Sequence, residues 1–213
     1  MPERESGASG SEGTGGGSRP DRTEAAHRPE RLEGERVVLR SFARDDLPHV
    51  IRWMDDPELR KEIGAVEPLT EARAEEWFAK VEIDPTRLWY AIVLEGDGRV
   101  VGEAGLLRIF EPWRTTDMTV IIGEPDARGR GYGTEAGELL LELAFERLGM
   151  HRVAVGVVGF HESAIRFWQK LGFREEGRQR DGYLVDGEFH DFVMMCVLED
   201  EYRCARTRRL QQK

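Results

Sequence analysis

The sequence predicts an α/β (α+β) domain: a central mixed, mostly antiparallel sheet of about seven strands with helices on both faces. Three observations predict it. Hydrophobic periodicity switches between strand and helix in the order β, α, α, β, β, β, α, β, α, β, β. Three hairpin-linked strands precede a β–α–β crossover, which places a parallel pair in an otherwise antiparallel sheet. Between Thr119 and Gly149, a β-branched strand runs into a loop holding Gly129, Gly131 and Gly133, and then into a long amphipathic helix.

Residues 1–31 are rich in Gly, Ser, Glu, Arg and Pro and nearly lack large apolar side chains. Such a segment cannot offset its ordering entropy by burial, so it is expected to be a disordered tail. The domain is expected over 32–202. VVLRSF (37–42) reads as the first strand, and Asp45 and Asp46 cap a helix through Trp53 that ends around Asp56-Pro57. Thr70 and Glu71 open a second helix, TEARAEEWFAKV. Leu88 to Leu94 is a strand, Gly96-Asp97-Gly98 a hairpin turn, Val100 to Ile109 the returning strand, and Thr116 to Ile122 the next. The long helix covers about 134–148 and stops at Gly149. A strand at 152–158, a helix at 162–171 closed by Gly172, and two strands joined at Asp186-Gly187 complete the domain. Residues 203–213 are expected to be a basic tail. Arg203, Arg206, Arg208 and Arg209 there read as a solvated helix end rather than a nucleic-acid contact.

Bulk properties exclude several classes. A formal net charge of −10 over 213 residues argues against a general nucleic-acid binder and leans slightly towards a cationic substrate. No apolar run approaches the roughly 20 residues that span a bilayer, and the N-terminal MPERESGASG lacks a secretory apolar core, so no membrane partner is expected. The two cysteines, Cys196 and Cys204, have no metal-site or CxxC spacing. No metal is expected, and a reducing, cytoplasmic setting fits best.

The glycine loop carries the chemistry. Alternate glycines let a backbone turn tightly and approach a ligand, and the helix that follows adds unpaired N–H groups and the positive end of its dipole. The sum is an anion cradle. A dinucleotide fingerprint starting at Gly129 needs glycine or alanine at position 134, which is Thr134, and a Walker A loop needs a lysine that is missing. A purely structural connection is the plain alternative, although three alternating glycines exceed what a turn requires.

Arg128-Gly129-Arg130-Gly131-Tyr132-Gly133 resembles the Arg/Gln-x-x-Gly-x-Gly/Ala motif of the GCN5-related N-acetyltransferase (GNAT) superfamily. Downstream, SAIRFWQKLGFREEG (163–177) resembles that family's second block, Ala-Ile-x-x-Tyr-x-Lys-Leu-Gly-Phe. The likeness covers about residues 34–200. It is nearest the branch of ribosomal-protein-alanine and spermidine acetyltransferases, from the opening ERVVLRSFARDDL and the closing EEGRQRDGYLVDGEFHDFVMMCVLEDEY.

The resemblance implies a GNAT fold, acetyl-CoA as cosubstrate, and direct attack by an amine without an acyl-enzyme. It implies that Arg128, Gly129, Arg130, Gly131, Tyr132, Gly133 and Thr134 hold the CoA phosphates. The edge at Val120, Ile121 and Ile122 is then expected to pair with the pantetheine arm and to give an N–H to the thioester oxygen. Ala164, Phe167 and Trp168 are further expected cofactor contacts. For the base, Asp117 stands first, at the early position of the strand before the cradle, and Glu103 on the neighbouring strand stands second. Glu103, if it faces the sheet centre, is alternatively a binder of a cationic amine, and Glu111 and Asp181 could do likewise, although nothing in the sequence singles them out.

Two departures affect proton return. Trp168 occupies the place of the usual tyrosine acid, and an indole N–H donates without being an ordinary proton source. His161 occupies the place of an asparagine that contacts the cofactor; it is a candidate catalytic and cofactor-binding residue, beside the plainer reading of a helix N-terminal histidine. Tyr132, Tyr183 and water are the remaining proton sources.

The long helix's Leu139, Leu140, Leu143 and Phe145 read as its core face. Trp53, Trp77, Trp89 and Trp113 are candidates for an acceptor cleft, with core packing as the alternative. Expected acceptors are a small polyamine- or antibiotic-like amine, or a protein N-terminus. A non-catalytic acyl-CoA-binding regulatory module is the reading of another class, and the resemblance implies a homodimer as the default assembly.

Overall fold

The computed structural model describes residues 29–211, and the tail expected over 1–31 lies outside them except for its last three residues. Eight strands form one sheet, in the order β1-β2-β3-β4-β5-β6-β8-β7. They are β1 (Arg31–Glu33), β2 (Val37–Ser41), β3 (Leu88–Leu94), β4 (Val100–Phe110), β5 (Thr115–Ile122), β6 (Arg152–Val158), β7 (Arg174–Val185) and β8 (Glu188–Leu198). Every neighbouring pair is antiparallel except β5 with β6, as the crossover requires. The additional strand is β1, three residues with one apolar side chain, too short to show a period; the expected domain start at 32 falls inside it.

Strand alternation sorts side chains between two layers. Tyr90 and Ile92 of β3 join the main core with Leu140, Leu141 and Phe145, whereas Ala91 and Val93 pack with Val50, Trp53 and Met54 on the other face. That second face is covered by α1 (Leu47–Met54), α2 (Pro57–Ile63) and α3 (Glu71–Ile83). Helix α2 was not foreseen: Asp56-Pro57 read as an end, yet Asp56 caps a new helix by accepting from the Glu58 amide, and Pro57 occupies its first turn. Buried Asp46 accepts both Arg40 guanidinium N–H groups at 2.6 Å and the Ala43 amide at 2.9 Å, which ties β2 to the start of α1.

On the first face, α4 (Tyr132–Glu142) continues into a five-residue π turn, and α5 (Glu162–Leu171) lies beside it. Past the expected domain end at 202, α6 (Glu199–Leu210) runs on as a helix. Tyr202 stacks on Phe145 at 4.8 Å, and Arg206 pairs with Glu142 and Glu146, so most of the expected basic tail lies in a helix docked on the end of the long one.

Candidate active site

The sheet forks at β5. Residues 115–117 pair with 152–154 of β6, but from Met118 to Ile122 the strand is paired with β4 alone among the described residues. Beyond Asp117 the two parallel strands diverge towards their C-terminal ends, where α4 and α5 begin. Such a crevice, outside the carboxyl ends of parallel strands, is where open sheets receive ligands. One edge of 118–122 therefore remains available to an extended partner.

At the mouth of the fork the chain turns through Gly129 (φ +71°) and Gly131 (φ +86°) into α4. The positive φ is what favours glycine at 131; a Cβ there would also lie 3.1 Å from an Arg36 guanidinium nitrogen, which would have to give slightly. Gly131 caps α4 without a side chain, which leaves the first-turn N–H groups to a ligand. These residues fit a phosphate group held by backbone. Arg130 is exposed beside them, Thr134 is half-buried in the first turn, and a Cβ on Gly133 would come into van der Waals contact with Ile122, Phe167 and Val120. The structure thus brings Val120, Ile122, Gly133 and Phe167 together at the fork.

The cradle is pinned from both ends. Arg128 donates through Nε to the Ile122 carbonyl at 3.1 Å and through Nη2 to Gly123 at 3.2 Å, with Asp56 at 3.6 Å, so its guanidinium braces its own loop. On the far side Glu135 accepts from the amides of Arg36 and Val37 and from Arg36 Nε, at 2.7, 3.2 and 3.0 Å. Arg36 Nη1 reaches the Arg130 carbonyl at 3.0 Å, and its guanidinium carbon stands 5.3 Å from the centre of the Tyr132 ring. Burial pushes the Glu135 carboxyl up, but the two amides and the guanidinium outweigh it and hold the group below its ordinary value. Helix α1 adds a third tie. Trp53 Nε1 donates to Glu124 at 2.7 Å, Arg52 pairs with the same carboxylate, and Gly123 lies so close under the indole that any Cβ there would strike the ring.

A cavity of about 690 Å³ opens between the sheet, α1 and the α2–α3 connection. Val50, Met54, Ile63, Leu69, Trp77, Trp89 and Ile121 line it, with Glu103 inside and Glu67 and Arg73 paired with each other. Register explains the placement: Glu103 stands between Ala91 on β3 and Ile121 on β5, and both neighbours pack towards α1. Its carboxyl is 4% exposed and accepts the Trp89 indole N–H at 2.9 Å. Burial raises its pKa from 4.5 to about 7, with the Trp89 hydrogen bond opposing.

Asp117 lies elsewhere. It sits in the paired end of β5, ion-paired with Arg108, beside a separate groove that holds Phe110 and Trp113. Four residue steps along the strand, about 13 Å, separate it from Ile121. The strand position that recommended it is thus on the closed side of the fork. Glu111 is exposed at the β4–β5 tip, and Asp181 is exposed in β7.

His161 starts α5, but its ring is engaged with α2: Nδ1 lies 3.2 Å from the Glu62 carbonyl and Nε2 3.7 Å from the Glu62 carboxylate. Facing a carbonyl, Nδ1 is the donor. Ala164 and Phe167 are half-buried against the main core. Trp168 is 5% exposed within that core, edge-on to Phe167 and Phe173, so the position expected to contact cofactor is a packing position. Tyr183 stacks on Phe192 and covers Gly64. Of the tryptophans, Trp77 and Trp89 line the cavity, Trp53 holds the cradle, and Trp113 is exposed at the far tip. Both cysteines are free, and burial pushes the Cys196 thiol up to about 11. Among the described residues no cluster of three or more His, Cys, Asp or Glu is placed to hold a metal, and no helix is long and apolar enough to cross a membrane.

Sequence reasoning missed Arg36, Glu135 and Glu124. Arg36 and Glu135 meet across 99 residues of chain, and Trp53 and Glu124 across 71, so no local pattern announces either pair.

Fork, cradle and cavity together define an α/β domain in which an open strand edge lies between a backbone anion cradle and a cavity. A family model described as an acetyltransferase (GNAT) domain matches residues 36–174, and the chain belongs to that family. The spermidine N(1)-acetyltransferase of Escherichia coli (strain K12) is 29% identical over 110 residues, 52% of this chain and 59% of that protein. The chain therefore spans less than two thirds of this relative's length. YokL, an uncharacterized N-acetyltransferase derived from the SPbeta prophage of Bacillus subtilis (strain 168), is 27% identical over 173 residues, 79% of this chain and 93% of that protein. Among solved structures, spermidine N-acetyltransferase from Vibrio cholerae in complex with CoA and spermine aligns with a TM-score of 0.73. Its sequence identity is 21%, covering 79% of this chain and 99% of that one, which is a likeness of fold.

Proposed function

We propose that this protein is an acetyl-CoA-dependent N-acetyltransferase that transfers the acetyl group to the primary amine of a small cationic molecule. The observation that carries the reading is Glu103, a buried carboxyl with a pKa raised to about 7, inside a cavity that reaches the open edge of β5 through Ile121. Bound acetyl-CoA supplies a thioester carbonyl open to nucleophilic attack.

An alkylamine has a pKa of about 10 and arrives protonated, so its lone pair must be freed. Glu103 takes that proton, a task suited to a base poised near neutrality. Trp89 Nε1 fixes the carboxylate by donating to Oε2, which leaves Oε1 to receive the proton. The backbone of Gly129–Thr134 and the start of α4 hold the phosphates, and the edge of Val120–Ile122 aligns the arm. Proton return to the leaving sulfur falls to water, because Trp168 is core and His161 is held by Glu62. Neither cysteine acts as a nucleophile, in keeping with the raised thiol of Cys196.

The proposal includes a cytoplasmic setting, supported by the unpaired cysteines, and a homodimer, supported by the long exposed edge strand β7 and the exposed Phe189 and Leu184 at its hairpin end. Free-thiol release from acetyl-CoA, followed with a panel of amines and an N-terminal peptide, tests the activity. Turnover with amines that collapses in Glu103→Gln is expected. CoA binding without turnover on any acceptor would instead mark a binding module.

A further inference from the structure

The acceptor cavity has an unusual balance of charge for a site that takes a cationic amine. Its walls are apolar and aromatic: Val50, Met54, Leu69, Trp77, Trp89 and Ile121. Three charged side chains line it, and they are unevenly disposed. Glu103 is inside, buried and already hydrogen-bonded to Trp89. Glu67 and Arg73 are more than half exposed and neutralise each other. Trp77 stands edge-on to Trp89 at 5.4 Å, and Phe42 edge-on to Trp77 at 5.5 Å, so the aromatic wall is braced from behind.

One carboxylate matches one ammonium. A polyamine that brought its terminal amine to Glu103 would place its next ammonium among the apolar side chains, one aminopropyl or aminobutyl arm away. An unpaired buried charge is heavily penalised, and the rim carboxylate that could receive it, Glu67, is already paired with Arg73. A ring or branched hydrocarbon body in the same place gains from burial and from aromatic contact. The volume, about 690 Å³, lies within the range of pockets that enclose a small organic molecule.

We infer that the acceptor is a monoamine with an aromatic or bulky apolar body, its amino group at Glu103 and its body between Trp77, Trp89 and Leu69, in preference to a polyamine. The inference rests on the acetyltransferase reading above and narrows its substrate class. Arg73, by occupying Glu67 at the rim, is the specificity-determining residue that leaves a second positive charge without a carboxylate partner.

The test compares kcat/KM at saturating acetyl-CoA for 2-phenylethylamine, spermidine and an N-terminal peptide, in wild type and in Arg73→Glu. Phenylethylamine is expected to exceed spermidine by about tenfold or more, in line with the cost of one stranded charge. Arg73→Glu is expected to narrow that ratio by raising kcat/KM for spermidine. Spermidine or the peptide equalling or exceeding phenylethylamine in wild type overturns the inference and leaves the transferase reading intact. A ratio unmoved by Arg73→Glu overturns the role of Arg73. If CoA binds and no amine is acetylated, the transferase reading has failed, and the cavity is then tested by tryptophan fluorescence with CoA present. Saturable quenching by phenylethylamine at lower concentration than by spermidine supports the cavity's selectivity, and the reverse order or no response overturns it.

Discussion

The two ends of β5 are built from the same strand and do opposite things. At residues 115–117 both edges are hydrogen-bonded, Asp117 is neutralised by Arg108, and the neighbouring groove ends at exposed Phe110 and Trp113. At residues 118–122 one edge has no strand partner among the described residues, a buried carboxyl stands on the adjacent strand, and the glycine cradle follows. An acidic residue near a binding strand is thus not enough. The carboxyl must sit where pairing stops, on the face that closes over the acceptor, without a cation of its own. Glu103, opposite Ile121 in the stretch paired with β4 alone, meets these conditions; Asp117 shares that face by register, but it is still paired with β6 and carries Arg108 as its cation.

The comparison is broken most severely at Glu103. Glu103→Gln keeps the shape and the Trp89 hydrogen bond but removes the base, so kcat is expected to fall by about 10²–10⁴-fold while CoA affinity holds. The same variant carries a signature in stability. A carboxyl raised from 4.5 to about 7 stabilises the folded state in acid, and that contribution, about 3 kcal/mol, is lost as pH rises through 7. Glu103→Gln is therefore expected to gain in Tm over wild type at about pH 8. A variant both inactive and less stable there would mark Glu103 as structural.

The next largest effect concerns the cradle. Gly131→Val places a β-branched residue at φ +86° with its Cβ against Arg36. A cost of about 2 kcal/mol is expected, read by calorimetry as a loss of roughly 30-fold in CoA affinity. Amine binding in the cavity, on the other face of the sheet, is expected to change little.

Glu135→Gln is milder. It weakens the strap between α4 and the start of β2, and because Arg36 is half exposed the expected loss is about 1 kcal/mol, seen as a lower Tm. The Glu135 pKa is lowered by folding, so its contribution is present above its unfolded pKa and is lost as pH falls through the folded one. The Tm gap between variant and wild type should accordingly close in acid.

Asp117→Asn should do least. At the closed end of β5 it is expected to leave kcat/KM within about twofold, the scale of an ordinary surface substitution.

What was legible in the sequence follows the same divide. The cradle is local: glycines at 129, 131 and 133, a preceding β-branched strand and a following helix lie within one short span, so their pattern alone announces a backbone anion site. Helix α5 was placed by its Gly172 stop, and β6 by its β-branched run. Both carboxylates, Asp117 and Glu103, were legible as candidates for the base but their order was not, because the fork separates them and strand sequence does not state where a parallel pair lets go. Helix α2 was hidden because Pro57 closes one segment and opens the next. Trp168 read as a departure from a functional tyrosine, and its burial with Phe167 and Phe173 gives the physical reason: at this position the helix serves the core.

The central claim, that the open end of β5 holds the base, is tested most directly by the pH dependence of kcat/KM in wild type, Glu103→Gln and Asp117→Asn. The account predicts a wild-type rate that rises with pH through an inflection near 7, separate from the amine's own titration at about 10. That inflection is absent in Glu103→Gln and unchanged in Asp117→Asn. An inflection that survives in Glu103→Gln, or vanishes in Asp117→Asn, contradicts it.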